Sequence, residues 1–190
     1  MRMTPEKESL APQDLHLLLE ADFETGTLTW KPRSRDFFKS DRSCKIWHVR
    51  FCGKQALNAK HPDGYKHGQI LEKLYLKHRV LMAMKLGYWP EYVDHINGNR
   101  ADNRIVNLRP ATRVQNARNQ ARPFHNTSGC IGVSWNNRDQ RWTAYITLNR
   151  KRKALGNFKT FEEAVECRKS NEAIYDFHPN HGRAACLAVA

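Results

Sequence analysis

At 190 residues the chain has room for one ordinary domain or two small ones, and 40% hydrophobic residues with a mean hydropathy of −0.75 allow only modest cores. No apolar run approaches the ~20 residues of a membrane span, and the polar start from Met1 to Ala11 lacks the apolar core of a secretory signal. Both point to an intracellular, cytoplasmic protein. Lys and Arg number 32 against 19 acids, a formal +13 with a pI near 9.8. Such a surplus attracts polyanions because each neutralised phosphate releases counterions; a basic protein with no nucleic-acid role would carry the same charge.

The first predicted element is a helix around Leu15 to Leu19, preceded by Pro12 and Asp14. Phe23 to Trp30, with a Thr25-Gly26 turn between β-favouring residues, predicts a hairpin. Residues 31–60 are basic and poorly patterned. They hold Cys44, His48 and Cys52, with His61 and His67 nearby; a zinc site is one reading, free thiols and surface histidines the other, because the spacing matches none of the common ligand patterns. Five cysteines without a Cys-x-x-Cys argue against a disulfide framework. Tyr65 to Ile70 and Leu74 to Leu76 read as paired strands about Leu71-Glu72-Lys73. Val80, Leu81 and Met84 then lie at helical spacing, with Gly87 as the C-cap.

The richest polar segment follows. Val93-Asp94-His95 is a short β-favouring run, Asn97-Gly98 a turn, Asn107-Leu108-Arg109 a returning strand, and Thr112 an N-cap with Gln115 at the capping-box position. Asp94 is a hard oxygen ligand and Asn116 a neutral carbonyl donor, a pair suited to Mg²⁺ that keeps waters and one phosphate oxygen. His95 has the intrinsic pKa to take a proton from water near neutrality. Adjacent strand residues face opposite ways, so Asp94 and His95 share a site only where the strand bends or ends.

The string Asp94-His95-Ile96-Asn97-Gly98-Asn99, Asp102-Asn103-Arg104, Asn107-Leu108-Arg109 and Asn116, with His78-Arg79-Val80 and Trp89-Pro90 upstream, closely resembles the HNH endonucleases of the phage and homing-endonuclease branch. The resemblance spans about residues 63–120. It implies His95 as general base, Asp94 and Asn116 as ligands of one Mg²⁺ (or Mn²⁺), and Asn107 as the residue that bonds across the loop and fixes the histidine. The final position is often His in that family; here it is Asn116, with Asn119 as a weaker substitute. The implied reaction is hydrolysis of a DNA phosphodiester to 5′-phosphate and 3′-hydroxyl.

Beyond residue 120 the pattern changes. Residues 121–129 hold Pro, Asn, Ser and Gly and read as a linker. Ile131 to Trp135, Arg141 to Leu148 and Lys153 to Phe158 read as three strands, followed by a helix capped by Thr160 and Glu163 whose partial apolar face is Ala164, Cys167, Ile174 and Phe177. Gly132-Val133-Ser134-Trp135, Arg141 to Ile146, Leu155 to Phe158 and Glu162-Glu163-Ala164 resemble the Apetala, or ethylene-response-factor, DNA-binding domain over about residues 128–178, with Ile131 where a basic residue is usual and Arg168 where an aromatic is usual.

The expected architecture is therefore α+β: a ββα-metal HNH nuclease domain over 1–122 with its motif core at 76–120, a linker at 123–129, a small three-stranded antiparallel sheet plus helix at 130–180, and a tail at 181–190. Double-stranded DNA is the expected partner. Candidate contacts are Lys77, His78, Arg79, Arg113, Arg118 and Arg122 around the catalytic segment, and Trp135, Arg138, Arg141, Arg150, Lys151, Arg152 and Lys153 on the sheet, with Trp142 a packing residue. The preferred function is a phage-encoded, homing-type endonuclease, nicking as a monomer or cutting both strands as a homodimer. The alternative is a non-catalytic DNA-binding regulator with a degenerate nuclease fold.

Overall fold

The computed structural model describes residues 10–184, so the reading of the first residues as lacking a secretory signal lies largely outside them, as does most of the 181–190 tail. The chain forms two compact units, one running to Thr112 and one beginning at Arg113. Both mix helix and strand, consistent with an α+β class.

In the first unit, helix α1 (Pro12–Leu18) gives way directly to strand β1 (Leu19–Asp22), which pairs antiparallel with β2 (Thr27–Trp30). Leu19 is therefore strand rather than helix, and the hairpin starts earlier than the β-favouring residues suggested. Asp22 Oδ1 accepts the backbone N–H groups of Glu24 and Thr25 and so closes the turn. A 3₁₀ turn (Arg35–Phe37) leads into α2 (Asp41–Phe51), a helix inside the segment that sequence periodicity left unpatterned. Its capping box uses Ser43 where Glu or Gln is the usual cue, and none of its residues is buried, so it carries no core stripe to be read. Strands β3 (Ala59–Lys60), β4 (Lys66–Ile70) and β5 (Lys73–Leu76) form an antiparallel sheet in the order β3-β4-β5. Leu71 and Glu72 both take positive φ, +45° and +69°, the geometry of a two-residue hairpin turn.

Helix α3 (Lys77–Leu86) is the centre of this unit. Lys77, His78 and every residue from Val80 to Met84 are buried, and Gly87 ends the helix at φ +77° with its N–H on the Ala83 carbonyl. Leu15, Leu18, Leu19, Leu28, Ile70, Tyr75 and Leu108 pack around it. The helix is followed by β6 (Tyr92–His95), a 3₁₀ turn (Ile105–Asn107) and β7 (Leu108–Ala111), which pairs antiparallel with β6.

The second unit opens with α4 (Arg113–Arg118), a helix that sequence reasoning attached to the nuclease domain. The chain just after it is built into this unit by backbone pairing: the Arg118 carbonyl accepts from His178, the Gln120 carbonyl from Gly182, and Arg122 N–H donates to the Arg183 carbonyl. Residues 181–183 are thus packed rather than a free tail, and His181 is 6% exposed. Strands β8 (Val133–Asn136), β9 (Arg141–Leu148) and β10 (Lys151–Phe158) form an antiparallel sheet, with a bulge between Ala154 and Gly156. Against it lies α5 (Phe161–Ile174), capped by the reciprocal Thr160–Glu163 box that the sequence predicts. Its inner face differs from the sequence reading. Ala164 is buried as expected, but Ile174 is 73% exposed, and Arg168 and Glu172 are buried. Arg168 Nε donates to the Ile131 carbonyl and Nη2 pairs with Glu172, so a buried ion pair lies alongside Ala164 on the inner face. Gly132 is required here: at φ +80°, a Cβ would come within 2.4 Å of the Tyr145 carbonyl oxygen and 2.5 Å of Arg168 Nε.

Candidate active site

The β6–β7 hairpin brings Asp94 opposite Arg109 and His95 opposite Leu108 at the point where β6 ends. Both side chains are buried, at 6% and 4% exposure. β6 ends at His95 and the chain turns immediately: Gly98 N–H closes onto the His95 carbonyl.

His95 Nε2 lies 3.3 Å from Asn103 Oδ1. A side-chain carbonyl can only accept, so Nε2 carries the proton and Nδ1 is the basic nitrogen. Asn103 is itself fixed, 4% exposed, with Nδ2 donating to the Ala101 carbonyl. Burial holds the His95 imidazolium pKa below the usual histidine value; the Asn103 bond and the Asp94 charge oppose that, less strongly. The ring is therefore neutral near pH 7, the state a general base needs.

Asn107 braces the loop rather than the ring. Its Oδ1 accepts the Asn97 N–H at 2.9 Å and its Nδ2 donates to the Asp102 carbonyl at 2.8 Å, while its own carbonyl accepts from Ile96. A direct bond to the imidazole comes from Asn103, a residue whose place beside the ring the sequence reading did not identify. Asp102 completes the loop: it takes two bonds from the Arg104 guanidinium, one from the Arg104 N–H and one from Asn97, and the Arg104 side-chain bond holds its pKa down to about 2.

A second support comes from far along the chain. Gly26, in the β1–β2 turn at φ +66°, sits so close to the loop that a Cβ would approach the Asn103 carbonyl carbon to 2.3 Å, and Ile105 N–H donates to the Phe23 carbonyl. The N-terminal hairpin therefore carries the back of the loop that presents Asn103.

Around the His95 ring, His78 packs edge-on with centroids 4.8 Å apart and Tyr65 lies at 5.8 Å; His78 and Tyr65 stack at 4.9 Å. Burial, and secondarily the neighbouring His95, pushes His78 well below the usual histidine range. Arg100 lies over the Tyr65 ring at 4.8 Å and donates to the Asp63 carbonyl. Tyr65 contributes an aromatic wall that no sequence motif singled out.

Three nominated DNA contacts are otherwise engaged. Lys77 and His78 are 1% and 4% exposed, so neither presents a face to a phosphate; burial lowers the Lys77 pKa to about 8. Arg79 donates to the carbonyls of Pro90 and Glu91, anchoring the entry to β6. In the second unit, Arg118 pairs with Asp176, Arg122 donates to the Gly129 carbonyl, and Arg113 is exposed. Asn116 is half-buried on α4, and the substitute Asn119 is 3% exposed and bonded to Arg183.

The nominated sheet residues do not share one face. Val133, Ala144 and Ile146 are buried on the side of α5, and Trp135 and Trp142 stand in the same register, with Trp142 packed on Phe161. Arg141, Thr143 and Tyr145 alternate onto the open side, where the Arg152 guanidinium lies 3.3 Å over the Tyr145 ring. Lys151 and Lys153 pair with Leu148 and Ile146, on the helix side, and Lys153 Nζ reaches the Tyr175 hydroxyl. Arg138 and Arg150 are exposed in turns.

As for metals, no group of three His, Cys, Asp or Glu residues able to hold an ion occurs among the described residues. His48 uses both ring nitrogens on protein partners, Nδ1 toward the Cys44 carbonyl and Nε2 toward the Arg33 N–H, which leaves no lone pair for zinc. Asp94 carries a hard oxygen ligand at the end of β6, and a Mg²⁺ that keeps its waters needs only one or two such ligands. Asp94 Oδ2 accepts two bonds from Arg109, at 3.1 and 2.9 Å.

Comparison with known proteins bears on the stretch that carries these residues. The HNH endonuclease family model matches residues 75–118, the stretch from β5 through α3, both strands of the Asp94–Arg109 hairpin and α4. The chain is also similar to Protein 3.8 of Escherichia phage T7, 38% identical over 60 residues, which are 32% of this chain and 50% of that protein. The chain thus spans about half the length of the curated relative it matches. No solved structure matches, and no helix among the described residues is long and apolar enough to cross a membrane. The family match stops at residue 118 and leaves the sheet and helix of the second unit outside it. By that match, residues 75–118 form an HNH endonuclease domain.

Proposed function

We propose that the chain is a metal-dependent DNA endonuclease of the ββα-metal HNH type that hydrolyses a phosphodiester with His95 as general base. The observation that carries this reading is the state of His95: buried, neutral, and held by Asn103 so that Nδ1 is the basic nitrogen. His95 Nδ1 would take the proton of the attacking water, leaving a nucleophile in line with the departing 3′ oxygen. Asn103 would stabilise the imidazolium by accepting from Nε2–H throughout. Asn107 would keep the 97–102 loop closed, and Tyr65 and His78 would restrict the ring to one plane. Asp94 is the carboxylate for one Mg²⁺ or Mn²⁺, which would supply positive charge to the phosphate and leaving oxygen. Asn116 as a further ligand rests on sequence order alone. Both are best read as belonging to a phage-encoded enzyme acting inside its host cell, as a monomer that nicks or a homodimer that cuts both strands.

For the second unit we infer a targeting role on duplex DNA, through an Apetala-like sheet whose open side carries Arg141, Tyr145 and Arg152. Cutting and targeting would then reside on separate stretches of the chain, the nuclease match ending at residue 118 and the sheet beginning at Val133. A second reading, a DNA-binding regulator with a silent nuclease fold, is favoured by one observation: Arg109 already occupies Asp94 Oδ2. Isothermal titration with Mn²⁺ separates the two. Binding that is lost in Asp94→Ala supports the enzyme, and no binding by the wild type in the presence of DNA supports the regulator.

A further inference from the structure

Helix α2 carries two stripes of opposite character. Cys44, Trp47, His48 and Phe51, at i, i+3, i+4 and i+7, face the body: Trp47 meets Trp30, Phe38 and Phe51 at 5.8–5.9 Å, and the Arg33 guanidinium lies 4.2 Å from its ring centroid. Arg42, Lys45, Ile46, Val49 and Arg50, at i, i+3, i+4, i+7 and i+8, form the opposite stripe, and all five are exposed. Ile46 is 54% and Val49 81% exposed. The one acid of the helix, Asp41, is paired with Arg35, so the charge of the outer stripe is not compensated from within the helix. At 100° per residue the cations and aliphatics alternate around this face, Lys45, Val49, Arg42, Ile46, Arg50, rather than separating into a broad apolar sector as a membrane-surface helix would.

We propose that α2 is a DNA-contacting helix of the first unit, lying in the major groove of the duplex that the enzyme engages, with Arg42, Lys45 and Arg50 on phosphates and Ile46 and Val49 against thymine methyl groups. The choice of DNA as the occupant rests on the endonuclease reading. The contact pattern rests on the stripe itself: the groove admits a helix, cations spaced over about 12 Å of helix reach its phosphate rims, and small aliphatic side chains read the C5-methyl of thymine. It gives a role to a segment that motif analysis leaves without one.

The test uses the full chain and fluorescence anisotropy on a labelled duplex in EDTA, so cleavage does not enter the readout. In Arg42→Gln/Lys45→Gln/Arg50→Gln, which retains helix-forming side chains, the slope of log K against log[KCl] is expected to become shallower by about 2 to 3, near 0.9 for each lost phosphate contact. Affinity near 150 mM salt falls at least about tenfold with it. Ile46→Ser/Val49→Ser keeps the salt slope but loses the wild type's preference for a thymine duplex over the same duplex built with uracil. Unchanged slope and affinity in the triple variant, with wild-type circular dichroism, overturn the proposal. So does a triple variant that loses binding to anionic vesicles of phosphatidylserine and phosphatidylcholine while its DNA binding is intact. A wild type that binds DNA but never cleaves it contradicts the endonuclease reading and leaves the α2 comparison fully readable.

Discussion

In the proposed reaction the chemistry turns on which atom of His95 is basic, and the Asn103 bond sets that atom. With Oδ1 of Asn103 on Nε2, the imidazole is held in the Nε2–H tautomer and Nδ1 is the basic nitrogen. Asn103→Ala is expected to lower kcat by roughly 10- to 100-fold, as loss of a residue orienting a catalytic or liganding histidine does, with KM for DNA little changed. Steady-state kinetics on a nicked-plasmid assay check it, and an unchanged kcat would remove Asn103 from the account. The Asp-His pair and the Asn-Leu-Arg return were legible in the sequence because hydrogen-bonding residue types at fixed spacing around an Asn-Gly turn signal a looped hairpin. Asn103 was not, because a loop asparagine is as often a turn former as a tether, and only the folded chain shows where its carbonyl points.

Among the elements, the helices and strands with a clear period were readable and the ones held by unusual means were not. The Gly87 stop of α3 and the Thr160–Glu163 cap of α5 follow from local rules. Helix α2 has an aromatic inner stripe diluted by Cys44 and His48 and a serine-only cap, so periodicity missed it; α5 buries Arg168, which the apolar pattern did not place inside, since the guanidinium finds both the Ile131 carbonyl and Glu172. The β1–β2 hairpin was recognisable, but its use as a brace depends on contact across some 80 residues of sequence. Gly26→Ala is therefore expected to push the Asn103–Arg104 backbone back and reduce cleavage several-fold or more without touching any catalytic group; a melting curve and a rate measured together would show a rate loss larger than any stability loss explains. On the second unit's sheet, Arg141→Ala/Arg152→Ala should weaken duplex binding and its salt dependence by about one unit of slope per contact, whereas Lys151→Ala/Lys153→Ala, on the helix side, should have the smaller effect.

At the scale of the molecule, two units each hold their own core, and the first contains a histidine that folding keeps neutral. The His78 pKa is depressed in the native state by burial, so below the unfolded value of 6.5 the unfolded chain binds more protons than the native one. Stability from this group is complete above about pH 6.5 and is lost as pH falls, and His181, lowered in the same direction by burial, adds to it. The melting temperature should fall from pH 7 to pH 5, less steeply in His78→Phe, which keeps the stack on Tyr65 and has no proton to gain; thermal denaturation across that range measures the difference. Net charge of +13 was the most general message of the sequence, and it holds for the whole chain without saying which face meets DNA. Register and burial add only exposure: Lys77 and His78 are buried, and Arg141 and Arg152 are exposed.

The most direct measurement is conversion of supercoiled plasmid to open circle in Mg²⁺ or Mn²⁺ by the wild type and by His95→Ala. Metal-dependent nicking that falls by at least about 10²-fold in the variant, with DNA affinity in EDTA within about twofold of wild type, is the expected result. Equal nicking by both proteins, or tight DNA binding by the wild type without cleavage in either metal, would contradict the assignment of His95 as the base of a working nuclease.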